Sequence, residues 1–483
     1  MVAFKRWHWS LIFLTAILLI ASFFRLYRVR DYLIFLGDEG RDALVWKRMI
    51  IDHKFTLLGP TASVGGFYLG PVYYYLTLPF AWGLKLDPVG PAYFVSTLGI
   101  ATVYLVYLFG RRYLNKTIGL IAAFLYSFAP LIVRYSRSSW NPNPLPFFTL
   151  AGLMLVYEGV KQKKLWLSFL AGIGLGIAWQ LHYLALILAP IYLAIVLVYR
   201  QNLKSTIYHL GSVFIGWIIG FLPFLAFEIR HAFPNTRTIF EFITRPYGAI
   251  HPQIADVFIT SVKRTGFMFA TVLMLPDTLW LRLLAMAATL TTIVWSLKRH
   301  KLLLIWCSVG MFGFAFYNTG IADYYFGFLF PVPFLMIAIL LYRLCRHFGW
   351  PVFIAGLLFL SYHQLSKAFF WNKPNRQIDQ TARIAGIVVA QAGGQPFNFA
   401  LISSGNSDHA YRFFLEIENH RPLGLDEKIT DQLLIVCEKP EPECKPLGNS
   451  LWEVAGFGRS EVNAQVTVDP GITIYRMIHY YGE

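Results

Sequence analysis

Eleven apolar runs of roughly 16–21 residues divide the first three quarters of this chain, near 8–24, 90–109, 117–133, 144–160, 165–181, 183–199, 207–227, 279–296, 302–317, 326–342 and 350–365. A hydrocarbon core ~30 Å thick takes roughly 20 helical residues, so runs of this length predict membrane-crossing helices. With 56% hydrophobic and 14% charged residues, the composition excludes an ordinary soluble enzyme, a disordered chain and a disulfide scaffold. The first run lacks a small-x-small cleavage site and is read as an anchor rather than a removable signal.

The net charge of +16 is unevenly placed. Residues 1–369 carry 32 Lys+Arg against 12 Asp+Glu, and residues 370–483 carry 10 against 14. Basic residues gather in alternate links, at Lys5/Arg6, Arg111/Arg112/Lys116, Lys161/Lys163/Lys164, Arg200/Lys204, Lys298/Arg299/Lys301 and Arg343/Arg346. With eleven crossings these links share one face, which the positive-inside rule makes cytoplasmic. The charge therefore predicts a multi-pass protein of the cell (inner) membrane in contact with lipid, not with nucleic acid.

An odd number of crossings puts the tail outside the cytoplasm. The expected organisation is a transmembrane domain over 1–369, with a large first external loop at 25–89, and an extracytoplasmic α/β domain over 370–483. In the tail, helix-like Ile378–Ala392 and Asp408–Glu418 alternate with strand-like Phe399–Ser403, Leu433–Cys437, Trp452–Phe457 and Ile472–Met477. Cys437 and Cys444 flank turn-forming Pro440 and Pro442. They suit a disulfide in an oxidising compartment, or two free thiols in an anaerobe.

On this topology, of the twelve acids in residues 1–369 only Glu158 is cytoplasmic, so acid chemistry is expected outside. Asp38 and Glu39, in Gly37-Asp38-Glu39-Gly40-Arg41-Asp42, follow the first run; thirty residues later comes Gly70-Pro71-Val72-Tyr73-Tyr74-Tyr75. Adjacent acids can supply a general base and a partner that orients it, or hold a divalent cation. They equally suit a helix N-terminus, where the dipole favours negative charge.

This pattern of Gly-Asp-Glu in a long first external loop, followed by Gly-Pro-x-Tyr-Tyr, resembles the membrane-embedded GT-C glycosyltransferases. The likeness is to the protein O-mannosyltransferase and lipid A aminoarabinose transferase group, and it spans roughly residues 1–370. It implies a GT-C fold and an extracytoplasmic active site, with a sugar donor carried on polyprenyl phosphate and a hydroxyl acceptor on a glycolipid, polysaccharide or protein. It also implies Asp38 as catalytic base, with Glu39 beside it, and transfer with inversion. No second acid is then needed, because a polyprenyl phosphate leaves readily once its charge is matched.

Candidates for that matching are Arg134 and Arg137, in the loop Arg134–Asn143, which suit phosphate oxygens or interfacial snorkelling. Asn141, where relatives often carry an aspartate, can hydrogen-bond a sugar. Tyr324 and Tyr325 follow Asp323, where the family often has a basic residue; they suit sugar stacking or an aromatic belt. His182 suits sugar or phosphate binding or a structural helix end. Arg230 and His231, after Glu228, open a further external loop. A divalent cation on Asp38 and Glu39 is a candidate cofactor. Competing readings are a transporter or flippase of a lipid-linked sugar and a non-catalytic polysaccharide-assembly subunit. No zinc-type His-Glu-x-x-His, Walker phosphate loop or dinucleotide fingerprint occurs.

Overall fold

The structure, a computed structural model, describes residues 2–62, 65–244, 254–275, 300–317, 320–440, 442–480 and 482. The chain is mostly helical, and its contacts divide it into two units. One comprises Met1–Val29, Thr56–Thr77 and Pro91–Lys373; the other comprises Arg30–Phe55, Leu78–Gly90 and Pro374–Glu483. The tail thus begins at Pro374, close to the expected residue 370, and two pieces of the first external loop fold with it.

In the first unit, the apolar runs that fall within the described residues are helices. Among the described residues, four helices are long and apolar enough to cross a membrane: Trp9–Leu26, Val89–Leu114, Leu203–Arg230 and Pro331–Phe348. Lys116–Phe128, Leu165–Leu181, Tyr183–Tyr199, Lys301–Ala315 and Trp350–Leu365 are shorter apolar helices, and Leu145–Gln162 is helical as well. The run expected at 279–296 lies outside the described residues. Asn115 and Asn202 fix two helix starts by accepting from Thr117 N and Ser205 N, each at 2.8 Å. The helices Leu165–Leu181 and Leu203–Arg230 meet along a glycine seam. A Cβ at Gly172 would lie 2.1 Å from Val213 O, and one at Gly216 would lie 2.0 Å from Phe169 O. Small residues four apart let helices approach where apolar burial alone gives little drive in lipid.

The stretch from 228 onward, expected as external loop, holds two helices, Pro234–Thr244 and Ile254–Val272. Charged and polar residues interrupt both, so a search for continuous apolar runs passes over them.

In the second unit, strands β1 (Asn398–Ile402), β2 (Gln432–Cys437), β3 (Ser460–Asp469) and β4 (Ile472–His479) form one sheet in the order β1-β2-β4-β3. β1 and β2 are parallel, and the other pairs are antiparallel. β1 and β2 are buried along their whole length, as their unbroken apolar runs require. Cys437 and Cys444 are joined in a disulfide beside this core. Two expectations need correction here. Trp452–Ala455 is a single helical turn, not a strand. The strand β3 was not anticipated, because Ser-Glu-Val-Asn-Ala-Gln-Val-Thr-Val-Asp is polar and largely exposed at the sheet edge.

Candidate functional site

Gly37-Asp38-Glu39 opens the helix Gly37–Ile50, which belongs to the same unit as the tail. Tail residues fix its start. Gly37 N donates to Asn406 Oδ1 (2.9 Å), Phe35 N donates to Gln377 Oε1 (2.9 Å), and the Phe35 ring packs edge-on against Phe413 and Phe414. Gly40 permits close approach to the helix His409–Ile417, since a Cβ there would lie 2.2 Å from Ala410 N. Gly40→Ala raises helix propensity but drives a methyl into backbone. The expected net result is a loss of about 1–3 kcal/mol, read as faster proteolysis of the tail at unchanged digestion of the helical unit.

The two adjacent acids have different surroundings. The Asp38 side chain is 58% exposed, and its Oδ1 accepts from Arg41 Nη1 at 2.8 Å. Arg41 also donates to Oδ1 of the buried Asp42, through Nε at 3.0 Å and Nη2 at 2.9 Å, so Asp42 sets the guanidinium that meets Asp38. Glu39 turns back, and its Oε2 accepts from Leu36 N at 3.1 Å, as an acid three residues into a helix can. Burial pushes the Glu39 carboxyl up to about 7, with the charges of Asp42 and Asp38 adding to the rise and the backbone N–H groups opposing it.

Because folding raises this carboxyl above its ordinary value, the folded unit binds more protons than the unfolded chain between pH 4.5 and about 7. Stability should therefore be highest below pH 4.5 with respect to this group and fall as pH rises to 7. Glu39→Gln is expected to remove that slope, about 1–3 kcal/mol over the interval, measured as the pH dependence of thermal unfolding.

The other candidates lie in the first unit, where several form one aromatic cluster. Tyr324 meets Trp140 (4.5 Å between centroids), His182 (5.6 Å) and Tyr325 (4.6 Å). His182 stacks on Tyr183 at 4.6 Å, and its Nδ1 accepts from Leu184 N, which leaves Nε2 to carry the proton. Asn141 Nδ2 donates to Leu181 O at 2.8 Å, so the amide holds the turn before His182. Tyr183 and Tyr317 share a hydrogen bond of 2.8 Å, and the Tyr135 hydroxyl donates to Asp323. Asp323 thereby has a structural partner, a role the Asp323-Tyr324-Tyr325 run does not reveal.

Arg134 and Arg137 do not act as a pair. The helix Pro130–Tyr135 ends between them; Arg134 is exposed and Arg137 is buried. Arg137 donates to Phe24 O (3.4 Å) and Tyr27 O (2.8 Å), and its guanidinium lies 3.6 Å from the centroid of Phe369. It caps the first helix rather than facing outward. Arg230 and His231 are exposed at the end of Leu203–Arg230, with His231 stacked on Phe227 at 4.2 Å. Their neighbour Glu228 is buried and accepts from Asn235 Nδ2 (2.9 Å), Thr236 N (2.8 Å) and Thr236 Oγ1 (2.7 Å), which fixes the next turn.

Asn235 Oδ1 in turn accepts from Tyr68 N at 2.8 Å, and Tyr73 and Ser139 share a hydroxyl hydrogen bond of 2.8 Å. The Gly-Pro-x-Tyr-Tyr segment is thus held within the helical unit at Tyr73, and the residues just before it at Tyr68. Among the described residues, no three His, Cys, Asp or Glu side chains gather as a metal site, and Asp38 and Glu39 are drawn to different partners.

Residues 83–227 match the protein-family profile described as dolichyl-phosphate-mannose-protein mannosyltransferase. The apo structure of ArnT from Cupriavidus metallidurans superposes with a TM-score of 0.65 at 13% identity, covering 98% of each chain. The fold is that of the GT-C glycosyltransferases. Two further structures share the GT-C fold with this chain. ArnT from the same organism bound to undecaprenyl phosphate gives a TM-score of 0.55 at 12% identity, over 97% of this chain and 98% of that one. The archaeal oligosaccharyltransferase AglB from Archaeoglobus fulgidus, in complex with an inhibitory peptide and a dolichol-phosphate, gives 0.51 at 14% identity, over 89% of this chain and 69% of that one. No curated protein sequence matches the chain.

Sequence reasoning missed Arg41 and Asp42 as the groups that orient Asp38. The signal was present: an acid and an arginine three apart share a helical face. It also missed Arg25, which lies just past the end of the first apolar run, is fully buried, and donates through Nη1 to Ser127 O at 2.6 Å.

Proposed function

We propose that the protein is an inverting glycosyltransferase that moves a sugar from a polyprenyl-phosphate carrier to a hydroxyl acceptor on the outer face of the cell membrane. The observation that carries this reading is the exposed Asp38 carboxylate, set by Arg41 and the buried Asp42 at the start of a helix. The acceptor O–H gives its proton to Asp38 while its oxygen bonds to the anomeric carbon. The bond from that carbon to the phosphate oxygen breaks, and polyprenyl phosphate leaves with the electron pair. Attack opposite the leaving oxygen inverts the anomeric centre. Glu39 serves the helix start rather than the proton transfer.

The relatives solved with undecaprenyl phosphate and with dolichol-phosphate support the carrier class. An odd number of crossings is supported by the union of Arg30–Phe55 with the tail, since segments that fold together share one side of the membrane. In this reading the half-buried Tyr324 meets sugar hydroxyls through its phenol, the buried His182, Tyr325 and Asn141 position it, and Arg134, Arg230 and His231 meet phosphate or headgroups. Arg137 contributes by fixing the first helix.

A divalent cation shared by Asp38 and Glu39 would have to bind carboxylates that already meet the Arg41 guanidinium and the Leu36 N–H, with the charge of Arg41 opposing it. Activity in excess EDTA is therefore expected to stay within about twofold of the untreated enzyme. A loss restored by added Mg²⁺ or Mn²⁺ would assign the cation a role. The proposal as a whole is tested by incubating the protein in nanodiscs with an envelope lipid extract and following inverted glycoside and free polyprenyl phosphate together.

A further inference from the structure

The second unit contains a cavity of about 390 Å³ that the transfer chemistry above does not use. It lies beyond the carboxyl ends of β1 and β2, the two parallel strands. Its walls include Asn406, in the segment after β1, and Glu438 and Pro440, just after β2. Crevices at the carboxyl ends of parallel strands are where α/β sheets bind ligands, and the volume suits a small one.

The lining chemistry narrows the ligand. Among the described residues that line it, the one ionisable carboxylate is Glu438, held by the Tyr411 hydroxyl (2.7 Å) and Asn406 Nδ2 (3.1 Å), and none is a Lys or Arg. Each carboxylate oxygen keeps a lone pair for a further donor. Gln377 uses its amide oxygen on Phe35 N, so its NH2 remains a donor, and the Thr381 hydroxyl stands beside it. A phosphate or carboxylate would meet Glu438 without a cation to offset it, whereas sugar hydroxyls can donate to Glu438 and accept from Gln377 and Thr381. Gln380 adds a further polar group to the lining, and Phe35, Pro440, Pro470 and Ile472 supply apolar wall suited to the C–H face of a pyranose.

The site is also preorganised. The Cys437–Cys444 disulfide closes the loop that carries Glu438, and Asn406 bonds both Glu438 and Gly37 N. Phe35 and Leu36, on one wall, immediately precede Gly37-Asp38.

We infer that this cavity is a binding subsite for a neutral, hydroxyl-rich saccharide unit. The role it then takes, holding the acceptor's glycan beside the helix that bears Asp38, rests on the transferase reading. Binding itself does not, so the two can fail separately.

The test uses the full chain in nanodiscs with the methyl glycosides of glucose, galactose and mannose, each at 50 mM, followed by hydrogen–deuterium exchange. At least one glycoside should slow exchange at Asn406–Tyr411 and around Gln377–Thr381, and glucose 6-phosphate should do so less. Asp38→Asn should keep this protection even if transfer is lost. Glu438→Gln should weaken it about tenfold, the cost of replacing a charge-assisted hydrogen bond by a neutral one. If none of the three glycosides protects these segments of the wild-type chain, or if the phosphate protects them as well, the inference is overturned.

Discussion

Asp38→Asn should lower sugar transfer by about 10²–10⁴-fold, the usual contribution of a positioned general base. The effect should fall on turnover and leave retention of the lipid-linked donor near the wild-type level, because the proton is taken only as the new bond forms. Glu39→Gln is the internal control. Its carboxyl faces Leu36 N and is pushed up to about 7 by burial, so the variant should change transfer by about tenfold at most while flattening the pH dependence of stability. Arg41→Lys should lie between them, since a lysine cannot donate to Asp38 and Asp42 through one planar fork. Equal losses at Asp38 and Glu39 would mean that the two acids act together, against the division of roles set out here.

The second large effect is expected at Arg137. Truncation to Ala removes the donors to Phe24 O and Tyr27 O and the guanidinium over Phe369. The buried carbonyl of Phe24 and the partly buried carbonyl of Tyr27 then lose this donor, and with the lost ring contact the total cost is about 3 kcal/mol. The readout is a lower midpoint of heat inactivation in nanodiscs, with donor KM within about twofold for the fraction that remains folded. A selective rise in donor KM at unchanged thermal stability would instead place Arg137 on the phosphate. Arg134→Ala, removing an exposed side chain, should leave stability almost unchanged.

The sequence is most legible where physics acts on long segments. Runs such as Leu165–Leu181 and Leu203–Arg230 are apolar because lipid or close packing surrounds them, and their glycines mark the seam between them. The buried strands β1 and β2 were legible for the same reason. The edge strand β3 was not, since its side chains face water and alternate weakly. Polar-interrupted Ile254–Val272 escaped a search tuned to uninterrupted apolar runs.

Site residues divide along a similar line. The Gly-Asp-Glu run identifies acids at a helix start, but which acid faces outward depends on backbone geometry that spacing alone leaves open. Glu39 is drawn back to Leu36 N, and Arg41 turns to Asp38 because buried Asp42 holds its other edge. Likewise, Arg134 and Arg137 look equivalent by spacing, and only the break after Tyr135 separates them. The gathering of Trp140, His182 and Tyr324 depends on contacts across distant segments, which residue type and spacing do not encode.

The central claim is that Asp38 drives release of the lipid carrier by deprotonating an acceptor. The most direct measurement is the rate at which free polyprenyl phosphate appears, by mass spectrometry, when wild-type and Asp38→Asn protein in nanodiscs are given an envelope extract that supplies donor and acceptor. Steady release by the wild type, and release at least 10²-fold slower by a variant of equal thermal stability, is the predicted result. Equal rates from the two proteins would contradict it, as would movement of intact lipid-linked sugar between leaflets with no carrier set free.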